Sequence, residues 1–200
     1  VDPRAERKEQ MRRDAAIAIP LVGLAITFGA FDWLMSLQPG WISTIFGIYF
    51  FSGGFLAGLA LIAVLLPRLW RTGALEAQAL ENHRIALGKL LLAMTIFWAY
   101  VAFAQLLLVW IADLPREIDF YARRTAGGWK LATYALAVAH FALPFVLLLS
   151  RELKRSRSGL ALVGGLLLLA HALDVHWLVM PVLEPKGPVL PLVDAAAFAA

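Results

Sequence analysis

Long apolar runs alternate with short polar breaks along this chain. A charged arm, residues 1–13, leads into a run that predicts a helix over 14–37. Beyond a turn at Pro39-Gly40, further runs predict helices over 41–66, 85–111, 129–149 and 160–180. Each holds about 20 residues or more, enough to cross a hydrocarbon core of about 30 Å. The breaks contain Pro67, Pro115 and Pro181 and most of the charged residues. Pro20 is expected in the first turns of its helix, where a missing backbone donor costs little, and Pro144 to kink the fourth. Residues 182–200 read as a Pro-rich connector and the start of a further helix, and both chain ends look like cuts in a longer protein.

Composition sharpens this to an all-α integral membrane protein, a transmembrane helix bundle with five complete spans and the start of a sixth. The 200 residues are 61% hydrophobic and 16% charged, with a mean hydropathy of +0.75. Soluble domains carry about 25% charged residues. The net charge of +4 does not point to nucleic acid, because the basic residues lie in short loops between the apolar runs. Cysteine is absent, which excludes disulfides, thiolate metal sites and covalent c-type haem from this chain.

Thirteen of the eighteen Lys and Arg fall on one side of the predicted bundle. The positive-inside rule then puts the N-terminal arm and the Arg151 to Arg157 loop in the cytoplasm, and the Pro39-Gly40 turn outside. Trp33 and Trp41 flank that turn where a membrane boundary is expected. Gly54 and Gly58 form a small-xxx-small pair, a weak sign of close helix approach.

Polar residues inside the runs are the candidate chemistry. At 1.5 Å per residue, Asp32 lies about 8 Å below the outer end of its helix, and Gln105 and Asp174 about 9 Å below theirs. His140 and His171 come out at about 13–15 Å. These groups occupy one band of the outer half, and His171 and Asp174, spaced i, i+3, share a helix face. The plain reading of Gln105 is an interhelical hydrogen-bond partner, and of His140 a satisfied core histidine. Asp32 and Asp174 resist such a reading, because buried carboxylates face a bundle interior or a wet cavity. The band suits a proton relay or the proton acceptor for a quinol. Bis-histidine haem ligation by His140 and His171 is the competing reading of the same depths.

Four stretches carry a resemblance: FDWLMSLQPGWISTIFGIYFFSGGF from Phe31, HRIALGKLLLAMTIFWAYVAFAQLLLVWIADLPREIDFY from His83, HFALPFVLLLSRELKR from His140 and HALDVHWLVMP from His171. Together they resemble the larger membrane subunit of alternative complex III, a bacterial quinol:electron-acceptor oxidoreductase. That protein belongs with the polysulfide-reductase (NrfD-like) membrane subunits. The resemblance implies about ten transmembrane helices, of which this chain is the later part, in the bacterial cytoplasmic membrane. It implies a sister NrfD-like subunit, a periplasmic iron–sulfur subunit, haem c subunits, small membrane anchors and a terminal oxidase as partners. It implies no haem or metal on this chain, with iron–sulfur clusters and haem c on the partners; it places the better-supported quinol site of the complex on the sister subunit and gives this chain a proton path or a supporting role. On matching positions it makes Asp32, His140, His171 and Asp174, with Gln105, candidates for a proton path or quinol-proximal pocket. A purely structural anchor and an ion or solute transporter are the alternatives.

Overall fold

A computed structural model describes residues 3–71 and 77–188. Among them every regular element is helical. Helix α1 is Pro3–Trp33, followed by a 3₁₀ turn Met35–Leu37; α2 is Phe46–Arg71 and α3 Ala77–Ala112. Next come α4 Pro115–Thr125, α5 Trp129–Leu136, a π-helical segment Ala137–Ala142, α6 Leu143–Leu149, α7 Arg151–Arg155 and α8 Arg157–Leu183. Five helical stretches are long and apolar enough to span a membrane, and the fourth, Trp129–Leu149, has the bounds expected from the sequence. The predicted start of a sixth helix lies outside the described residues.

Several boundaries differ from the expected ones for a common reason: a helix does not have to stop where hydrocarbon would. The N-terminal arm is the first turns of α1, so Pro20 sits in the helix interior rather than near its start. Residues 77–84, expected as part of a polar loop with room for a short surface helix, likewise form the beginning of α3. Pro67 and Pro181 are carried inside α2 and α8 and end neither helix. Conversely, α1 stops at Trp33, and α2 starts at Phe46 rather than at Trp41. Gly40 takes φ +96 in the turn between them, a conformation that favours glycine. The mixed-charge loop holds α4, whose Leu114-Pro115 start places a proline where its missing donor is harmless. Inside the basic loop, Ser150 and Ser156 cap α7 and α8 with their hydroxyls.

Pro144 acts through the turn before it. It has no N–H for the His140 carbonyl, and the backbone widens there into the π-helical segment, with Leu143 N donating to Val138 O. That segment carries His140.

Helices α2 and α8 pack along one another at the centre, with α1 and α3 also against α2. Between α2 and α8 the close approach uses Gly164: a Cβ there would come within 2.7 Å of the Ala60 carbonyl oxygen and 3.1 Å of the Ala63 Cβ. Gly54 and Gly58, the pair marked in the sequence, have nothing within 4 Å of such a Cβ. The close seam is therefore made by α8's glycine. Leu56, Leu91, Leu148 and Leu167, from α2, α3, α6 and α8, are fully buried and form an apolar layer toward the end that carries α7. Toward the α4 end the interior turns polar. Trp33 stands exposed near that end, whereas Trp41 is buried, stacked on Phe120 at 3.9 Å.

Gly164→Ala should lower stability by about 1–3 kcal/mol through overpacking, against its gain in helix propensity. Gly165→Ala, with open space around the new methyl, should be neutral or stabilising. Unfolding of the detergent-solubilised variants checks this, and equal behaviour of the two would contradict the close α2–α8 contact.

Candidate functional site

Asp174 on α8 is buried to 2% exposure, and Tyr49 on α2 donates its phenolic hydroxyl to Asp174 Oδ1. His140 Nδ1 lies 3.9 Å from Asp174 Oδ2, beyond hydrogen-bond reach. The Trp98 indole covers the His140 ring at 3.9 Å and faces the same carboxylate, without a hydrogen bond of full geometry from its Nε1. His171, one turn below Asp174 on α8, has its ring centroid 6.1 Å from that of His140. Gly53 makes room for it, since a Cβ at that position would sit 3.2 Å from His171 Nδ1. Four helical segments thus meet at one carboxylate that has no Lys or Arg in ion-pair contact among the described residues.

Several buried polar atoms here lack a protein partner: both His140 nitrogens, His171 Nδ1, Thr95 Oγ1 and Gln105 Oε1. Native interiors leave few such groups, and each marks a place where water or ligand is expected. Unpartnered imidazole nitrogens beside a carboxylate make a set of groups able to take up and pass on protons.

A cleft of about 570 Å³ adjoins the cluster, between α3, α4, the α5 segment and α8. Tyr49 and Trp98 belong to its wall, so the residue that holds Asp174 also borders the cleft. Gln105, Thr133 and Tyr121 add polar groups to an otherwise aromatic and aliphatic lining. Tyr100 and Phe103, also of the wall, are largely exposed on α3, so the cleft reaches the apolar outer surface.

Arg124 of α4 closes the cluster's near end. Pro181 leaves the Trp177 carbonyl without its helical donor, and Arg124 Nε donates to it at 3.1 Å. Nη2 donates to Leu178 O at 2.6 Å, and Nη1 to Phe120 O and to Gln38 Oε1. The guanidinium lies 3.5 Å over the Phe120 ring. Burial lowers its pKa to about 9, so it remains a cation at neutral pH. Gln38 hands the contact on to Asp119, which Arg123 neutralises at 2.7 Å. The Trp177 indole donates to Thr133 Oγ1, tying α8 to α5.

Of the sequence-predicted residues, His140, His171 and Asp174 converge, and Gln105 lines the adjoining cleft. Asp32 is not brought to them: it lies exposed in the last turn of α1. Its expected depth assumed a helix continuing to residue 37, four residues past the real end. His176 packs on Trp129 at 5.7 Å, away from the cluster. Tyr49, Trp98 and Arg124 were missed. The signal for Tyr49 was a phenol within an apolar run, whose hydroxyl must find a partner once buried. For Arg124 it was the later Pro181, which exposes a carbonyl. Among the described residues no three His, Cys, Asp or Glu side chains converge to hold a metal ion. Comparison with protein-family models and with curated proteins finds no match to this chain.

Arg124→Met should cost about 2–4 kcal/mol, because buried carbonyls lose their donors. Arg124→Lys should recover little of this, since an ammonium does not reproduce the planar fork. Thermal unfolding in detergent measures both, and full rescue by lysine would contradict the clamp.

Proposed function

We propose that this chain is part of a multi-pass membrane subunit of a quinol-oxidising respiratory complex, and that the Tyr49–Asp174–His140–His171 cluster handles protons released at the adjoining cleft. The observation that carries this reading is a buried carboxylate with no cation in ion-pair contact, held by a tyrosine that also lines an apolar cleft. A proton site must change its charge state in place. A carboxylate clamped by a guanidinium is locked in one state, and Asp174 is not so clamped.

The cleft suits a flat, amphipathic ring. Its volume falls in the range of about 300–1,000 Å³ usual for small-molecule sites, and aromatic side chains dominate its walls. Its reach to the apolar surface lets a lipid-soluble molecule arrive sideways from a bilayer. Oxidation of a quinol releases two protons and two electrons. The electrons pass to iron–sulfur and haem c centres of partner subunits, as the resemblance to alternative complex III implies. On this chain, the Tyr49 oxygen takes up a quinol proton as its own hydroxyl proton passes to Asp174, His140 and His171 carry it on, and the second proton follows the same way once Asp174 is again deprotonated. With the basic α7 end in the cytoplasm, the α4 end and the cluster lie in the periplasmic half.

Asp174→Asn should lower quinol-dependent turnover by about tenfold to a hundredfold or more in fully assembled complex, in the range of general acid–base effects. Tyr49→Phe should act in the same direction but more weakly. Steady-state turnover per assembled complex, measured across pH, checks both. Wild-type turnover of assembled Asp174→Asn complex at every pH would remove the proton role and leave an anchoring subunit.

A further inference from the structure

The α7 end of the bundle carries a second buried charge that the proton cluster does not use. Arg84, in the early turns of α3, is more than nine-tenths buried, and its Nε has no hydrogen-bond partner. Among the described residues no carboxylate pairs with it: Glu81, one turn away, and Glu152 of α7 form no ion pair with it. A guanidinium nitrogen buried without an acceptor is costly, so it marks a place for an anion.

A second basic side chain is brought to within one helical turn by a glycine. Residues 84 and 88 lie on one face of α3 at i, i+4 spacing. Gly88 is buried, and a Cβ there would sit 2.7 Å from Lys154 Cγ and 3.1 Å from Lys154 Cδ. The absence of a side chain at residue 88 thus lets the Lys154 stem of α7 lie across α3, one turn from Arg84. Lys154 is half-buried and has no ion-pair partner among the described residues. Just beyond this corner the surface becomes apolar, with exposed Val146 and Leu149 on α6, the helix that leads into α7.

We propose that Arg84 and Lys154 hold the phosphate of an anionic phospholipid, whose acyl chains run along the exposed face of α6. Two cations stand at the end of an apolar surface, where a headgroup sits above its chains. Arg supplies directed donors to phosphate oxygens, and Lys a point charge. A zwitterionic lipid is disfavoured because its own ammonium group meets both cations. This inference rests on the membrane-spanning part of the function proposed above, and not on the proton cluster.

The test uses the full chain in its assembled complex, reconstituted into nanodiscs of phosphatidylcholine and phosphatidylglycerol in equal parts. Lipid retained after transfer to mild detergent is read by native mass spectrometry. Retention of phosphatidylglycerol over phosphatidylcholine is expected, falling about fivefold with Arg84→Gln and about fivefold with Lys154→Gln. Lys89→Gln, which removes an exposed cation from the same end, should change little. Gly88→Ala keeps every charge but displaces the Lys154 stem, and should also weaken retention; it keeps the test decisive if Arg84→Gln does not assemble. An equal loss with Lys89→Gln would reduce the effect to diffuse surface attraction and overturn the site. Displacement of the lipid by inorganic phosphate alone would overturn the lipid assignment in favour of a soluble anion. Release of the chain from membranes by alkaline carbonate would sink the membrane-spanning reading itself, whereas lost lipid selectivity in a membrane-retained chain sinks only this site.

Discussion

A carboxylate buried among helices costs several kcal/mol unless it is paired or hydrogen-bonded. Asp174 meets that constraint with a tyrosine hydroxyl instead of a cation. Tyr49 can reach it only because α2 and α8 run close together along their length. Gly164 allows that approach toward one end of the seam, and Gly53 leaves space for His171 nearer the other. The remaining helices are arranged about this pair. Helix α3 brings Trp98 over the His140 ring, and the π-helical segment before Pro144 sets His140 beside the carboxylate.

The chain also buries a cation at this end, yet keeps it apart from the carboxylate. Arg124 directs its donors to the carbonyls of Trp177, Leu178 and Phe120 and to Gln38. Pro181 is what leaves the Trp177 carbonyl available, so a residue that weakens α8 also helps fix the docking of α4 onto it. The two charges are satisfied separately. The guanidinium becomes a fixed structural element, and the carboxylate remains able to change its proton count. Toward the α7 end the interior is closed by Leu56, Leu91, Leu148 and Leu167, which leaves the polar cluster and its cleft on the α4 side of a dry layer.

The five long apolar helical stretches were legible because hydropathy over about 20 residues is a strong signal. Most of their ends were not, because hydropathy reports the solvent beside a segment and not its backbone hydrogen bonding. Residues 3–13 and 77–84 are polar and helical all the same. Within the site, His171 and Asp174 were legible from i, i+3 spacing, and His140 from its depth. Depth says nothing about which way a side chain turns, and this is why Asp32 was grouped with them although it points outward from the end of α1. Tyr49 was hidden among aromatic neighbours, and Arg124 looked like one more loop charge, because only the folded chain brings it to the acceptors that Pro181 exposes. The Gly54–Gly58 spacing marks two α2 glycines with open space around them, while the close contacts belong to Gly47 and Gly53 on α2 and Gly164 on α8, whose facing partners no local pattern encodes.

The central claim is that Asp174 sits in a hydrated proton site beside a quinol-accessible cleft. The most direct measurement is a high-resolution cryo-electron microscopy structure of the intact complex in a lipid bilayer with added quinone. Expected are ordered waters bonded to the His140 and His171 nitrogens, and ring density in the cleft within hydrogen-bond reach of its polar wall. A dry cluster, with those nitrogens against packed apolar atoms and the cleft filled by a lipid tail or a partner side chain, would contradict the claim.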